Sequence, residues 1–402
     1  MNTVVVIGGG ASGMMAALTA AEDKNNRVIL LERQQRVGRK LMATGNGRCN
    51  LTNMGACAEN YHGEQADFAL PALEKFGPEK VLEYFRTLGL VTVTEYGGRV
   101  YPLSNSANSV VDVLRFALEN SGVELRTAEP ARELIKRGEG FLIRSDNGEI
   151  TADYVIVACG GAAGAKLGGV MDGYDLLKNL GHKRTALHPA LVQLVTDPTY
   201  PRALKGIRAQ AKLRYVCGGE ELARSEGELQ FIETGLSGPA AFDVSRAASV
   251  NGGGEVHVDF LGELSDAELL EILRKRAETM PDMNAEDILT GVVHNRLGKM
   301  LVKYSDVGGG RKLRELKESD FAAINNACRD FTLSVKGVEG FDCAQVTAGG
   351  IKTTGVNPET MESWFVPHLF ICGELLDVDG DCGGYNLQWA WASGALAGRL
   401  GK

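Results

Sequence analysis

Val4-Val5-Val6-Ile7-Gly8-Gly9-Gly10-Ala11-Ser12-Gly13 sets four β-branched residues ahead of glycines in GxGxxG register at Gly8, Gly10 and Gly13. The apolar run reads as a parallel strand buried on both faces. Gly8 makes the tight turn, Gly10 lets backbone approach a pyrophosphate, and Gly13 lets the following helix pack close to the sheet. That helix is expected over Met14–Glu22. Its start, with Ala11 and Ser12, offers free N–H groups and about half a positive charge to phosphates. A second strand, Arg27–Leu31, ends at Glu32, placed to accept hydrogen bonds from both hydroxyls of an adenosine ribose, with Arg33 beside it.

This unit serves NAD or FAD equally well. Gly38-Arg39-Lys40-Leu41-Met42-Ala43-Thr44-Gly45-Asn46-Gly47-Arg48-Cys49-Asn50 is basic, and too rich in glycine and polar residues for a helix. It reads as a polar detour along an extended cofactor or as a solvated basic loop. The other end of the chain favours the first. Leu369-Phe370-Ile371-Cys372-Gly373-Glu374 is a buried strand ending in Gly-Glu, and Gly383-Gly384-Tyr385-Asn386-Leu387-Gln388 leads into an apolar helix expected over Trp389–Leu400. A flavin accepting a hydride develops negative charge at N1 and the C2 carbonyl oxygen. Backbone N–H groups of Asn386, Leu387 and Gln388 at a helix start would stabilise it as an oxyanion hole does. Gly383 and Gly384 leave room for a ring against backbone, and Asp377 or Asp379 can bond ribityl hydroxyls. The two ends together point to FAD.

Both motifs resemble a bacterial family of NAD(P)/FAD-dependent oxidoreductases, the BaiN-like flavoproteins, which includes an aminoacetone oxidase and a keto-bile-acid alkene reductase. The resemblance spans nearly the whole chain. It implies that Arg39, Lys40, Thr44, Gly45, Asn46, Gly47, Arg48, Cys49 and Asn50 wrap the FAD pyrophosphate and ribityl chain. It implies the same cofactor for Gly373, Glu374, Asp379, Gly384, Tyr385, Asn386 and Leu387. Ala131, after the strand Val123–Thr127, is expected near the adenine. Gly160, where the strand from Tyr154 exits, is expected under the cofactor. Gly98-Arg99-Val100-Tyr101-Pro102 matches a family turn ahead of an amphipathic helix, Asn108–Asn120. Ile232-Glu233 departs from a family Thr-His, and Gly355 and Trp364 depart from a family acid and lysine. These departures bear on the substrate site, not on FAD.

The fold class is α/β: a Rossmann-like FAD-binding domain (1–190 and 342–402) interrupted by a β-barrel (191–263 and 329–341) and a helical subdomain (264–328). The barrel rests on short strands at Leu191–Val195, Ala209–Val216, Gly227–Phe231 and Gly254–Phe260. The helical part rests on the Leu/Ile stripe of Asp266–Thr279 and on Asp287–Tyr304 and Asp320–Cys328.

A formal charge of −8 over 402 residues argues against nucleic acid or anionic membrane as partner. No stretch reaches the roughly 18–20 apolar residues of a membrane span. Eight cysteines without CxxC or zinc spacing fit a cytoplasmic compartment and imply neither metal nor redox disulfide. The six histidines read as structural.

The expected function is hydride transfer through flavin N5 to or from a small or medium organic substrate, with reduction of an activated C=C bond (enone, steroid or bile-acid-like) favoured. Tyr385, Tyr101 and Cys49 are the candidate proton donors. Lacking a second GxGxxG unit, the chain would either meet NAD(P)H transiently over the ring or be reduced by another protein. An oxygen-using amine oxidase and a protein with structural FAD are the alternatives. Oligomeric state has no signature in the sequence.

Overall fold

The apolar runs lie side by side in a parallel sheet. In the computed structural model, which describes residues 1–402 with the side chain of Ala66 excepted, the strand order is Leu369–Ile371, Tyr154–Val157, Asn2–Ile7, Asn26–Glu32, Glu124–Thr127. Val4, Val5 and Val6 are wholly buried, as a strand covered on both faces requires.

Two helices built from small residues lie together in the same unit. Ala11–Ala20 follows the opening strand, and Tyr385–Gly398 packs on it. A Cβ at Gly394 would stand 2.4 Å from the Ser12 carbonyl oxygen, and one at Gly398 2.5 Å from that of Ala16. Trp389 and Trp391 fill the space beside this contact. Their indole N–H groups donate to Gly373 O (3.0 Å) and Leu51 O (2.9 Å), so burial leaves no donor unpaired. The helix Ala107–Ser121 also packs on Ala11–Ala20, and an antiparallel sheet follows over Ala131–Arg137, Gly140–Ser145 and Gly148–Ala152.

Several boundaries differ from expectation: the strand expected over Gly227–Phe231 runs Glu220–Ile232, and three helices start elsewhere. The first helix starts at Ala11 rather than Met14 because Gly10 is its N-cap. The closing helix starts at Tyr385 rather than Trp389, with Gly384 in the left-handed region as its cap. Asp287–Tyr304 is not one helix. Gly291 at φ +84 breaks it, and the helix runs Asn295–Tyr304, capped by His294, whose Nδ1 accepts from Arg296 N at 3.2 Å.

Two compact units result, Met1–His188 with Gln345–Lys402, and Pro189–Ala344. The second contains a closed barrel ordered Leu194–Thr196, Gly235–Ser237, Glu220–Ile232, Arg208–Cys217, Gly254–Asp259, Phe331–Val338. The helix Pro239–Asn251 packs against it. Helix Asp266–Thr279 has the expected bounds and opens with a Ser265/Glu268 capping box. Glu233 is exposed and ion-paired to Lys205 at 2.8 Å.

The glycine contact between the two helices sets a test. Gly394→Val, which drives carbons into Ser12, should cost about 1–3 kcal/mol in urea unfolding followed by tryptophan fluorescence. Gly310→Ala, with nothing within 4 Å of its added Cβ, should change stability by less than about 0.5 kcal/mol.

Candidate cofactor site

The opening glycines divide by what surrounds them. Gly8 sits at φ +111 with its absent Cβ 2.4 Å from Ala158 O, and a Cβ at Gly13 would lie 1.8 Å from Gly8 O. Packing alone requires glycine at both. Gly10 is different: its backbone is extended and nothing stands within 4 Å of an added Cβ. As N-cap it supplies no side chain to the first helical turn, and no acidic residue lies in that turn. Helix geometry leaves the N–H groups of Ala11, Ser12 and Gly13 without intrahelical acceptors. Glu32 grips this turn, its Oε2 accepting from Gly9 N (2.8 Å) and its Oε1 from Gln34 N (2.6 Å). Burial raises its carboxyl above the usual range. Arg33 is exposed beside it. The bend before Ala131 comes to the same place, with Glu129 N donating to Glu32 O at 3.0 Å and Ala128 N to Gln34 O at 2.8 Å.

The segment Gly38–Asn50 was expected to contain no helix, yet Arg39–Ala43 forms one short turn. Five good helix formers stand in a row there, Gly38 at φ +70 starts them, and Leu41 is buried beneath. Gly38 N donates to Gly9 O at 2.8 Å, tying the segment to the opening turn. Lys40 Nζ pairs with Glu374 Oε2 at 2.6 Å, linking positions 334 residues apart. Glu374 Oε1 accepts from Thr347 N at 2.8 Å. A Cβ at Gly160 (φ +73) would approach Glu374 Oε2 at 4.0 Å, so loop, strand exit and Gly-Glu turn meet at one carboxylate. Arg39 donates to Gln34 Oε1 at 2.8 Å.

Beyond Thr44, whose hydroxyl donates to Leu41 O at 2.7 Å, the chain coils through left-handed residues Gly45, Asn46, Gly47 and Cys49. Arg48 stacks 3.9 Å over the Tyr101 ring and hydrogen-bonds to Glu95 and Asn105, so part of its guanidinium is engaged within the protein. Cys49 is wholly buried, which pushes its thiol up to about 12. A thiol held there neither ionises nor meets a substrate near neutral pH, so its proton-donor role is withdrawn. Tyr101 is also nearly buried; burial raises its phenol, against the opposing pull of Arg99 and Arg48.

The closing turn is held by side chains that sequence reading gave to the ligand or overlooked. Asn386 Oδ1 accepts from Gly380 N (2.8 Å) and its Nδ2 donates to Gly380 O (2.7 Å). Asn53 Nδ2 donates to Gly383 O at 3.0 Å. Buried Asp379 with Gly380 pairs antiparallel with Tyr61 and His62, and His62 Nε2 meets Asp381 at 2.7 Å. Tyr61 donates to Tyr385 O at 3.0 Å. Asp377 accepts from Glu64 N at 3.0 Å. Asn53, Tyr61 and Asp381 went unseen because nothing local in the sequence brings residues 53–62 to residues 380–385. Gly384, at φ +103, caps the closing helix without a side-chain hydrogen bond, and a Cβ there would meet Thr52 O at 2.5 Å and Asn50 Oδ1 at 2.9 Å.

These features fit a long anionic dinucleotide. Two helices of one unit start at glycine with no side-chain cap and no acid in the first turn, leaving donors for phosphate at one and for a developing oxyanion at the other. Asn50 Oδ1 is buried without a hydrogen-bond partner, an arrangement that costs about 1–3 kcal/mol unless something donates to it. Among the described residues no three His, Cys, Asp or Glu side chains are grouped to hold a metal ion, and no helix is long and apolar enough to cross a membrane.

Comparison with known proteins bears on the same unit. The family model described as HI0933-like protein Rossmann domain matches residues 2–400. The chain is 41% identical over 373 residues, 92% of its length and 91% of the relative's, to a 3-dehydro-bile acid delta(4,6)-reductase of Clostridium scindens. It is 27% identical over 90% of its length, and 89% of the relative's, to a ribosomal RNA dihydrouridine synthase of Escherichia coli K12. Among solved structures, a 3-ketosteroid delta1-dehydrogenase from Sterolibacterium denitrificans matches with a TM-score of 0.50 and 14% identity, covering 99% of both chains. That likeness concerns the fold.

Gly10 and Gly13 separate ligand contact from packing. Gly10→Val should leave the thermal unfolding of the cofactor-free protein within about 2 °C of wild type and abolish the yellow colour of bound flavin, because only a ligand needs that space. Gly13→Val should lower the unfolding temperature even without cofactor. Visible absorption and differential scanning fluorimetry of both variants check this, and a yellow Gly10→Val protein contradicts the site.

Proposed function

The chain belongs to the HI0933-like protein Rossmann domain family, and from that premise we propose that it is an FAD-dependent reductase of a C=C bond conjugated to a carbonyl. Its substrate is a small or medium organic molecule of the enone, steroid or bile-acid kind. The observation that carries this reading is the 41% identity, across nine-tenths of both chains, to a delta(4,6)-reductase of 3-dehydro bile acids. The second relative's name points to the same chemistry, since turning uridine into dihydrouridine also saturates a ring C=C conjugated to a carbonyl.

Bound FAD supplies the hydride. The protein's own groups would hold it at its two ends, the turn gripped by Glu32 at the adenosine end and the start of the helix Tyr385–Gly398 at the ring. Backbone N–H groups there favour charge gathering on a carbonyl oxygen without an added cation. Of the candidate proton donors, Tyr385 is half-exposed at the first helical position and takes the role. Tyr101, under the Arg48 guanidinium, serves to hold the loop. One GxGxxG unit leaves two sources of electrons, transient docking of NAD(P)H or another protein. A reducing, cytoplasmic setting suits eight free cysteines. RNA as substrate is disfavoured by the formal charge of −8 and by the lower identity to the RNA-modifying relative.

The protein should be reduced anaerobically with NADH or NADPH and mixed with enones or a uridine-bearing ribosomal RNA fragment, while the oxidised protein is mixed with amines in air. The expected result is return of the oxidised flavin spectrum in proportion to added enone, with no peroxide. Reoxidation by air alone, with peroxide formed in proportion to an amine, would instead establish an oxidase.

A further inference from the structure

We infer that the Arg99 guanidinium receives the carbonyl oxygen of the substrate and holds the negative charge that reduction places there, an assignment that rests on the reductase reading above and deepens it. Hydride addition to the far carbon of a C=C bond conjugated to a carbonyl drives the π pair toward the carbonyl oxygen. A proton then joins the near carbon as the carbonyl re-forms. The passing enolate calls for a positive group of its own, because in that reading the start of the helix Tyr385–Gly398 serves the cofactor. Arg99 stands beside that start. A Cβ at Gly383 would lie 3.1 Å from Cε2 of the Tyr385 ring and 3.6 Å from Arg99 Nε, so a cation and the proposed proton donor flank one glycine. Both residues are half-buried, within reach of a ligand resting on that turn.

Among the described residues none accepts from the Arg99 guanidinium. The other half-buried arginines of this unit each hold a carboxylate: Arg48 that of Glu95, Arg115 that of Glu119, Arg126 that of Glu124. Asp381, on the closing turn, is engaged by His62 and Asn60. A guanidinium partly withdrawn from water without a counter-charge is costly, and its planar fork suits an oxygen that turns anionic. The backbone fixes its base. Arg99 pairs with Asn53 across the sheet, and Glu95 N donates to Arg99 O at 2.7 Å. Asn53 Nδ2 also bonds both Gly97 O (3.1 Å) and Gly383 O (3.0 Å), clamping the strand of Arg99 to the closing turn. The charge acts inward as well: burial raises the Tyr101 phenol, and of the charges around it Arg99 opposes that most.

The test uses full-length FAD-loaded protein, reduced anaerobically with dithionite to the endpoint and mixed with the enone that wild type reduces fastest, following return of the oxidised flavin spectrum in a single turnover. Arg99→Met should keep the flavin content and unfolding temperature of wild type, since no protein partner is lost, and slow reoxidation by roughly a hundredfold or more. Arg99→Lys, which keeps the charge without the fork, should recover at least about tenfold of that loss. A second readout avoids turnover. A para-halogenated phenol is titrated into the oxidised protein, where its phenolate on the ring gives a long-wavelength charge-transfer band. The pH midpoint of that band should rise by about one unit or more in Arg99→Met, because a nearby cation favours the phenolate. Reoxidation of Arg99→Met at the wild-type rate overturns the assignment, and so does an unmoved phenolate midpoint. Loss of flavin from Arg99→Met also overturns it, by putting Arg99 on the cofactor. If yellow wild-type protein, once reduced, is reoxidised by none of the enones, the reductase reading itself falls and this assignment with it.

Discussion

The contact between the helices Ala11–Ala20 and Tyr385–Gly398 governs the rest of the cofactor unit. Two helix starts can serve one ligand only if their axes come close, and side chains at the crossing would hold them apart. Here backbone meets backbone: Gly394 lies on Ser12 and Gly398 on Ala16. Such an approach gives little apolar burial of its own, and the buried indoles of Trp389 and Trp391 make up for it. Gly373 extends the same seam, since a Cβ there would meet Ser12 Oγ at 2.4 Å. The small-residue composition of both helices is therefore a packing requirement with a functional result.

The fold was largely legible because its signals are local and repeated. The opening strand, the glycine turn and the apolar strand at Leu369 each carry their pattern within a few residues, and the parallel sheet and closed barrel follow from such runs. Helix starts were less legible. Gly10 and Gly384 act as caps through backbone conformation, which composition does not reveal, so both helices were expected to begin three or four residues late. The turn at Arg39–Ala43 was hidden by averaging five helix formers with the glycines around them.

The cofactor motifs were legible in the sequence; the partners their side chains take within the protein were not. A sequence shows which polar residues a loop contains, but not which of them the protein itself consumes. Arg48 is taken up by Glu95, Asn105 and Tyr101, Asn386 by Gly380, and Lys40 by Glu374. Each was read as a ligand contact, and each also holds a partner within the protein.

The sheet's edge strand Leu369–Ile371 bonds to Tyr154–Val157, more than two hundred residues earlier. On the ribosome this has a consequence. The first 188 residues emerge with one sheet edge unpaired and the bed of Ala11–Ala20 uncovered, while Pro189–Ala344 holds all six strands of its barrel within itself. The inserted unit can fold as soon as it leaves the exit tunnel, whereas its host waits until Leu369–Ile371 has been made. Such a nascent chain carries an open β-edge for many seconds, and that interval is when it is most exposed to mispairing with its neighbours.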